Sequence, residues 1–588
     1  MREQITALRR EMWKHGIFAY LVLTEDFHGS EYAGAHFKCR EYLSGFTGSA
    51  GTLVVTETDA ALWTDGRYFI QAAAELSGSG IALMKQGEPD TPTIERFLAE
   101  KMPENSALGF DGRAVNAVFA KKLEKALLKK NIAFKTDINL VGAVWEDRPP
   151  LSKQPVFAVS EEFCGLSRFE KLSKIREKMR AENASCTVLS ALDDIAWTLN
   201  LRGGDVDYNP VFLAFMLVFE DRAELFAERS IFDDKIADSL KTDGVKILPY
   251  DGIYDRLNTL DGAVWADPKT TNSRIFKELK NAKIISKNSP VELMKACKNP
   301  AEIAAEKSAH IKDGAAVTRF MRWLKSAVRS VKTELITEIS AAEKLEEFRK
   351  AGEGYLGQSF EPIMAYGEHG AIVHYSATEQ TNAALEPRGL LLSDTGGHYL
   401  DGTTDITRTF VLGELSDEEK RAFTLVLAAH LELLGAVFPK GARGSTLDGI
   451  ARKPLWDRGL DFNHGTGHGV GFLLNVHEGP QRVSYRAAND APLQEGMITS
   501  DEPGLYLEGK FGIRHESLVL CERSEFEGFL RFSPLTCVPF DTEGIDKRYL
   551  TNSQITRLND YHKWVCETLS PLLSNDEREW LSEITKPI

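Results

Sequence analysis

Nowhere does the chain approach the roughly 20 consecutive apolar residues that a bilayer-spanning helix needs, so a membrane location has no support in the sequence. Its start, MREQITALRREMWKHGIFAYLV, reads as an amphipathic helix running into a strand; it lacks the unbroken apolar stretch of a secretion signal, and no export is expected. Cysteine is scarce, seven in 588 residues, odd in number and without a CxxC pair. That excludes a disulfide scaffold and points to reduced thiols in a cytoplasmic setting. The Asn183-Ala184-Ser185 sequon therefore reads as chance. No long Lys/Arg run offsets the formal net charge of -15, which disfavours a nucleic-acid partner. GxSxG is missing too: Ser49, in TGSAG, has threonine where the first glycine of a nucleophile elbow would stand.

What is present is ordinary globular composition, 43% hydrophobic and 27% charged, in a chain too long for one core. LRREMWKHGIFAYLVLT from Leu8 and IREKMRAENASCTVLSA from Ile175 share a helix, break and β-rich pattern. Both are followed by an aromatic or Leu-rich stretch containing glycine, so two related α/β domains are expected. Paired prolines in EDRPPLSKQP favour extended chain and place the first boundary near residue 150. The division is 1-150, 151-298 and 299-588. Helices are expected from Ser167, with Glu170 completing a capping box; from Asn299, with Pro300 and Glu302; from Ser416, with Glu419; and from about Leu447 to Gly459.

The chemistry lies in four islands of the last domain. IVHYSAT carries His374. LLLSDTGGHYLDGTTDITRTFVL carries Asp394 and Asp405 between β-branched runs and reads as a hairpin or bulged strand pair that converges two carboxylates. FNHGTGHGVGFLLNVHEGP carries His464, His468 and His477, a concentration in a chain with 13 histidines. Its glycines make a helix costly, so the histidines belong on strand or loop, and no GxGxxG register supports a nucleotide site. MITSDEPGLYLEGKFGIRHESLVL places Glu502 before a Pro-Gly turn and Glu516 on a strand. Alternation along GIRHESLVL would point Arg514 and Glu516 the same way. Two Asp, one His and two Glu form a hard-donor set suited to a pair of divalent ions rather than a structural zinc. Two such ions, about 3.5 to 4 Å apart, lower the pKa of a shared water and make it a nucleophile for amide hydrolysis.

The order and spacing of these residues resemble the long, three-domain aminopeptidase P family, within the superfamily of methionine aminopeptidase, prolidase and creatinase. EYLSGFTGSAGTLVV, ALWTDGRYF, the four islands and a tail with FSPLTCVPFDTEGID and YLTNSQITRLNDYHKWV carry that resemblance over essentially the whole chain. It implies an α/β (α+β) chain with two creatinase-like domains before a pita-bread catalytic domain, a homodimer, and two divalent ions, Mn(II) first with Co, Zn or Fe as alternatives. By resemblance Asp405 and Glu516 bridge the ions, Asp394 holds one, and His468 and Glu502 hold the other. Glu502 is also the proton shuttle, His374, His464 and His477 line the site, and Arg514 orients a carboxylate ligand. His369 stands where many relatives carry asparagine. The implied reaction removes the residue before a second-position proline; that bond has no N–H to grip, so a ring pocket is required. A prolidase restricted to dipeptides, or a non-catalytic pita-bread protein binding peptides or histones, are the alternatives. Creatinase works without metals and lacks the five ligands.

Overall fold

The computed structural model describes residues 2–330, 335–487 and 490–588. They fall into two compact units, Met1–Glu161 with Leu166–Glu292, and Glu162–Gly165 with Leu293–Ile588.

The first unit is built on two six-stranded sheets of the same topology. In the first, strand Ala19–Leu23 pairs antiparallel with Thr52–Thr56 and parallel with Ala107–Gly109. Thr52–Thr56 pairs antiparallel with Ala60–Thr64, while Ala82–Lys85 and Ala133–Lys135 add parallel edges. The second repeats each step: Cys186–Leu189 lies between antiparallel Ala214–Phe219 and parallel Ala263–Ala266. Ala223–Ala227 continues the antiparallel pairing, and Val245–Leu248 and Lys283–Ser286 are the parallel edges. Each sheet is preceded by the helix read from sequence, Glu3–Lys14 and Arg168–Ala181. Ile5, Leu8 and Met12 recur at helical spacing and are buried, and Ala19–Leu23 is buried at every position, as expected of a strand covered on both faces. Asn272 Nδ2 donates to the Phe27 carbonyl at 2.8 Å and His28 Nδ1 lies 2.9 Å from the Ser190 carbonyl, which ties the two sheets into one unit.

The second unit opens with the long helix Pro300–Val328, capped by Asn299 and Glu302 as its sequence predicts; Ser416 and Glu419 likewise cap Asp417–Leu434. Its strands form a three-stranded sheet (Ile363–Tyr366, Leu390–Thr395, Ile406–Val411) and a six-stranded sheet running Val437–Pro439, Phe529–Pro534, Ser517–Arg523, Ile498–Asp501, Gly467–Gly469, Glu478–Val483, beside a smaller three-stranded sheet (Tyr355–Gln358, Gly397–Tyr399, Gly402–Thr403) and the pair Gly504–Leu507 and Phe511–Arg514.

Three local expectations need correction. The helix read from Leu447 begins at Gly444 and ends at Trp456. No neighbour in sequence caps it; the Ser445 N–H donates to Asp490 Oδ2 at 3.0 Å, a partner that no local pattern reveals. GIRHESLVL is not one strand: Phe511–Arg514 pairs with Gly504–Leu507, Ser517–Arg523 joins the six-stranded sheet, and His515 and Glu516 lie between. Pro503-Gly504 makes no turn, because the chain passes straight from strand Ile498–Asp501 into Gly504–Leu507.

Candidate metal centre

Asp394 and Asp405 sit where the hairpin reading puts them. Leu390–Thr395 pairs antiparallel with Ile406–Val411, with Asp394 opposite Thr407, and Asp405 immediately precedes the returning strand. His468 lies on a short strand pressed against Ile498–Asp501, an approach that only glycine allows: a Cβ on Gly467 would fall 2.0 Å from the Ser500 carbonyl oxygen. Gly512 is confined in the same way, 1.7 Å from the Gly370 oxygen, which presses the segment before His374 onto the Arg514 strand.

These elements bring the side chains together. His468 Nε2 lies 3.4 Å from Glu502 Oε1 and 3.5 Å from Asp405 Oδ2. Ligand atoms of Asp405, His468 and Glu516 all lie within 4.8 Å of one another. Asp394 joins through Arg514, whose Nη2 donates to its Oδ2. Arg514 and Glu516 share Thr407: its hydroxyl donates to Glu516 Oε2 at 2.7 Å and accepts from Arg514 Nε at 3.3 Å. The two side chains therefore do point the same way, despite the break between their strands. Ser500 Oγ accepts from the His468 N–H at 2.9 Å and donates to Glu502 Oε1 at 3.1 Å, locking both to one strand.

Two of the three histidines make contacts that lead to this cluster. His477 stands edge-on to His468 with ring centroids 4.3 Å apart. His464 Nε2 lies 2.8 Å from the Tyr506 hydroxyl, which accepts from Arg514 Nη1 at 2.7 Å, so a hydrogen-bonded path runs from His464 to Asp394. Its backbone is fixed by Arg452 Nη2, which donates to the His464 carbonyl at 2.7 Å. His374 follows Val373, whose carbonyl accepts from Arg514 Nη2 at 3.4 Å.

Four carboxylates thus face one arginine and one histidine. Burial raises the pKa of Asp394 against the pull of Arg514, and raises Glu502 against that of His468. Glu516 is held well above the ordinary carboxylate range by burial and then by the charge of Asp405. Burial pulls the His468 imidazolium down, but the hydrogen bond to Asp405 and the Glu502 charge outweigh it and lift the pKa to about 9. Asp394 Oδ1 is buried with no hydrogen-bond partner among the described residues. A deficit of positive charge and an unused buried oxygen are what a carboxylate-rich set shows when divalent cations are its natural partners. The donor chemistry fits two such ions.

Tyr506, Ser500 and Thr407 were not legible as site residues, because each acts through a partner distant in sequence or hidden by the fold. His369 lies at the margin: Nδ1 is 2.8 Å from Glu338 Oε1, and its ring stacks on Tyr375 at 4.5 Å. Glu338 also accepts from the Tyr366 N–H, the Tyr375 hydroxyl and the Ala383 N–H. The Glu338 hydrogen bond raises the His369 pKa despite partial burial. A raised folded pKa means stabilisation that is complete below the unfolded value, about 6.5, and lost as pH rises through the folded one. The parent should therefore lose stability relative to H369N as pH rises from 6 to 9, by at most about 1 kcal/mol, the upper end for a solvent-screened ion pair. Denaturant unfolding at the two pH values checks this, and parallel curves would remove the ion pair from the account.

A dinuclear-type donor set on paired sheets, preceded by two α/β sheets of one topology, defines a metallopeptidase with a pita-bread catalytic unit. Residues 304–523 match the metallopeptidase family M24, 4–141 and 147–302 each match the creatinase/prolidase N-terminal domain, and 528–588 match the C-terminal region of peptidase M24. The chain belongs to the aminopeptidase P, or Xaa-Pro aminopeptidase, family of metal-dependent hydrolases. It is 39% identical to aminopeptidase P2 of Arabidopsis thaliana over 100% of this chain and 88% of that protein. It is 39% identical to the Xaa-Pro aminopeptidase ApepP of Drosophila melanogaster over 97% and 96% of the two chains. The solved X-prolyl aminopeptidase of Caenorhabditis elegans, described as a cytosolic enzyme with a di-nuclear active site, superposes with a TM-score of 0.95 at 34% identity, over 100% of this chain and 99% of that one.

Proposed function

We propose that this chain releases the N-terminal residue from peptides with proline in second place, with two divalent ions held by Asp394, Asp405, His468, Glu502 and Glu516. The observation that carries the reading is the convergence of Asp405 Oδ2 and Glu502 Oε1 on His468 Nε2, at 3.5 and 3.4 Å, in a pocket of carboxylates short of positive charge. The ions supply Lewis acidity and an activated water nucleophile. The remaining work falls to the protein. Glu502, about one-fifth exposed and fixed by Ser500, accepts a proton from the attacking water and delivers one to the departing proline nitrogen. Arg514 holds the orientation of Asp394, and Tyr506 carries that order to His464. To His374, His464 and His477 the proposal assigns orientation of the peptide and donation to the oxyanion.

Mn(II) is the proposed metal, and a cytoplasmic homodimer the proposed state; the cytosolic description of the worm enzyme and cysteines that form no disulfide among the described residues favour that compartment. Among the described residues no helix is long and apolar enough to cross a membrane. The shared strand order supports two related domains, 1-150 and 151-298, before the catalytic domain 299-588.

Metal-free protein, reloaded with Mn(II), Co(II) or Zn(II), should release arginine from Arg-Pro-Pro and not from Arg-Ala-Pro. Equal cleavage of both would keep the peptidase and discard the proline preference. Failure on both with every metal would favour the binding-protein alternative.

A further inference from the structure

The tail beyond residue 528 supplies none of the proposed ligands, yet its buried face ends on the strand pair that holds one. Arg408 stands on Ile406–Val411, directly after Thr407, and is 1% exposed. An arginine inside the β-branched run ITRTFVL, at a position covered on both sides, is costly unless its charge is used. Its Nη1 donates to the carbonyl oxygens of Glu516 and, at 2.9 Å, Thr407. Nη2 donates to the Val538 carbonyl at 2.8 Å, to the Tyr561 hydroxyl at 2.9 Å and to Ser517 Oγ at 3.3 Å. The guanidinium carbon lies 4.0 Å from the centroid of the Phe540 ring. None of these partners is a carboxylate, and the residue gripped through its backbone, Glu516, must be ionised to hold a cation.

The other end of the relay is the tail helix Asn552–Leu569, capped by Thr551 and Gln554. The Tyr561 hydroxyl accepts from Arg408 and is 2.7 Å from the Thr536 carbonyl and 2.8 Å from that of Val538, to one of which it donates. The next residue, His562, uses Nε2 to accept the Phe540 N–H at 3.1 Å. That hydrogen bond requires the imidazole neutral at this nitrogen, and burial pushes its pKa down to about 3, so the clamp stays in one state at neutral pH. Tail helix, Phe540 and the Glu516 backbone therefore close on one guanidinium.

We propose that Arg408 and Tyr561 are positioning residues for Glu516, through which the C-terminal tail sets the geometry and affinity of the metal centre. The inference rests on Glu516 being a metal ligand. Outer contacts that orient ligands change metal affinity or activity by about 10- to 100-fold when removed, although they never touch the ion.

The test uses the full chain with Tyr561→Phe, Arg408→Lys, Glu516→Gln, and Leu569→Ala as a control that removes buried packing from the same helix but none of the relay's hydrogen bonds. Metal affinity is titrated calorimetrically with Mn(II), and the visible spectrum of the Co(II) form reports coordination; kcat and KM are measured on Arg-Pro-Pro. In Y561F, metal affinity should weaken about 10-fold, the Co(II) bands should shift, and kcat should fall with KM unchanged. R408K, which keeps the charge and loses the fork, should do the same more strongly. L569A should melt earlier with its metal affinity and spectrum unchanged. The proposal is overturned if Y561F binds metal with the parent's affinity and spectrum while E516Q loses an ion, or if L569A shifts the spectrum as far as Y561F does. Retention of both ions by E516Q would instead remove the ligand reading, and the proposal with it.

Discussion

Glu502→Gln is expected to lower kcat on Arg-Pro-Pro by about 10³-fold or more, with the protein still folded. The substitution keeps size and the hydrogen bond from Ser500, so the loss is chemical. It removes a negative charge that His468 faces at 3.4 Å, and it removes the group that can both take and give a proton. A 10³-fold fall is about 4 kcal/mol of barrier, close to what one positioned acid-base group supplies. Steady-state kinetics at matched metal loading, with metal content measured, separate the two losses. Full metal occupancy with low kcat assigns the effect to proton transfer, low occupancy assigns it to ligation, and parental kcat would sink both roles.

Gly467→Ala should cost about 10²-fold in kcat/KM and about 1–3 kcal/mol of stability through a single methyl group. The added carbon would stand 2.0 Å from the Ser500 oxygen and 3.0 Å from its carbonyl carbon. Both are backbone atoms of a strand locked to its other neighbour, where Ser500 faces Leu518, so neither can swing away. The strands must part, and the carboxylate of Glu502 then leaves the imidazole of His468. Gly449 supplies the contrast. On the helix Gly444–Trp456 its added carbon meets nothing nearer than 3.8 Å, and alanine there should be neutral or slightly stabilising. Thermal melts and kinetics of the pair decide the matter; a fully active G467A would mean that this approach does not hold the site.

Among the proposed ligands, Asp394, Asp405 and Glu516 stood out as charges beside β-rich runs, where burial without a partner is unfavourable, and His468 stood out by its clustering with His464 and His477. Helix starts at Asn299 and Ser416 were readable because a cap lies within three residues of its helix. The start at Gly444 was not, since its anchor Asp490 is 45 residues away. Tyr506 looked like any aromatic in EPGLYLEG until folding set it between His464 and Arg514. Arg408 was a visible anomaly in ITRTFVL, but its partners Glu516, Val538 and Tyr561 lie more than 100 residues on. Local chemistry is legible in a sequence to the extent that its partners are local. The strand break at His515 follows the same logic, because alternation cannot say that one run of residues will be divided between two sheets.

The twin sheets of the first unit carry a hazard that their edges answer. Two copies of one topology offer four open edges, and each could recruit a strand from its twin or from another molecule, the route by which β-proteins aggregate. All four edge strands carry an exposed lysine: Lys85, Lys135, Lys246 and Lys283. An added strand would have to desolvate that ammonium group or leave a gap around it. The same four strands are short, three or four residues each, which limits the hydrogen bonds an intruder could gain. Repetition of a fold within one chain is thereby kept from becoming polymerisation.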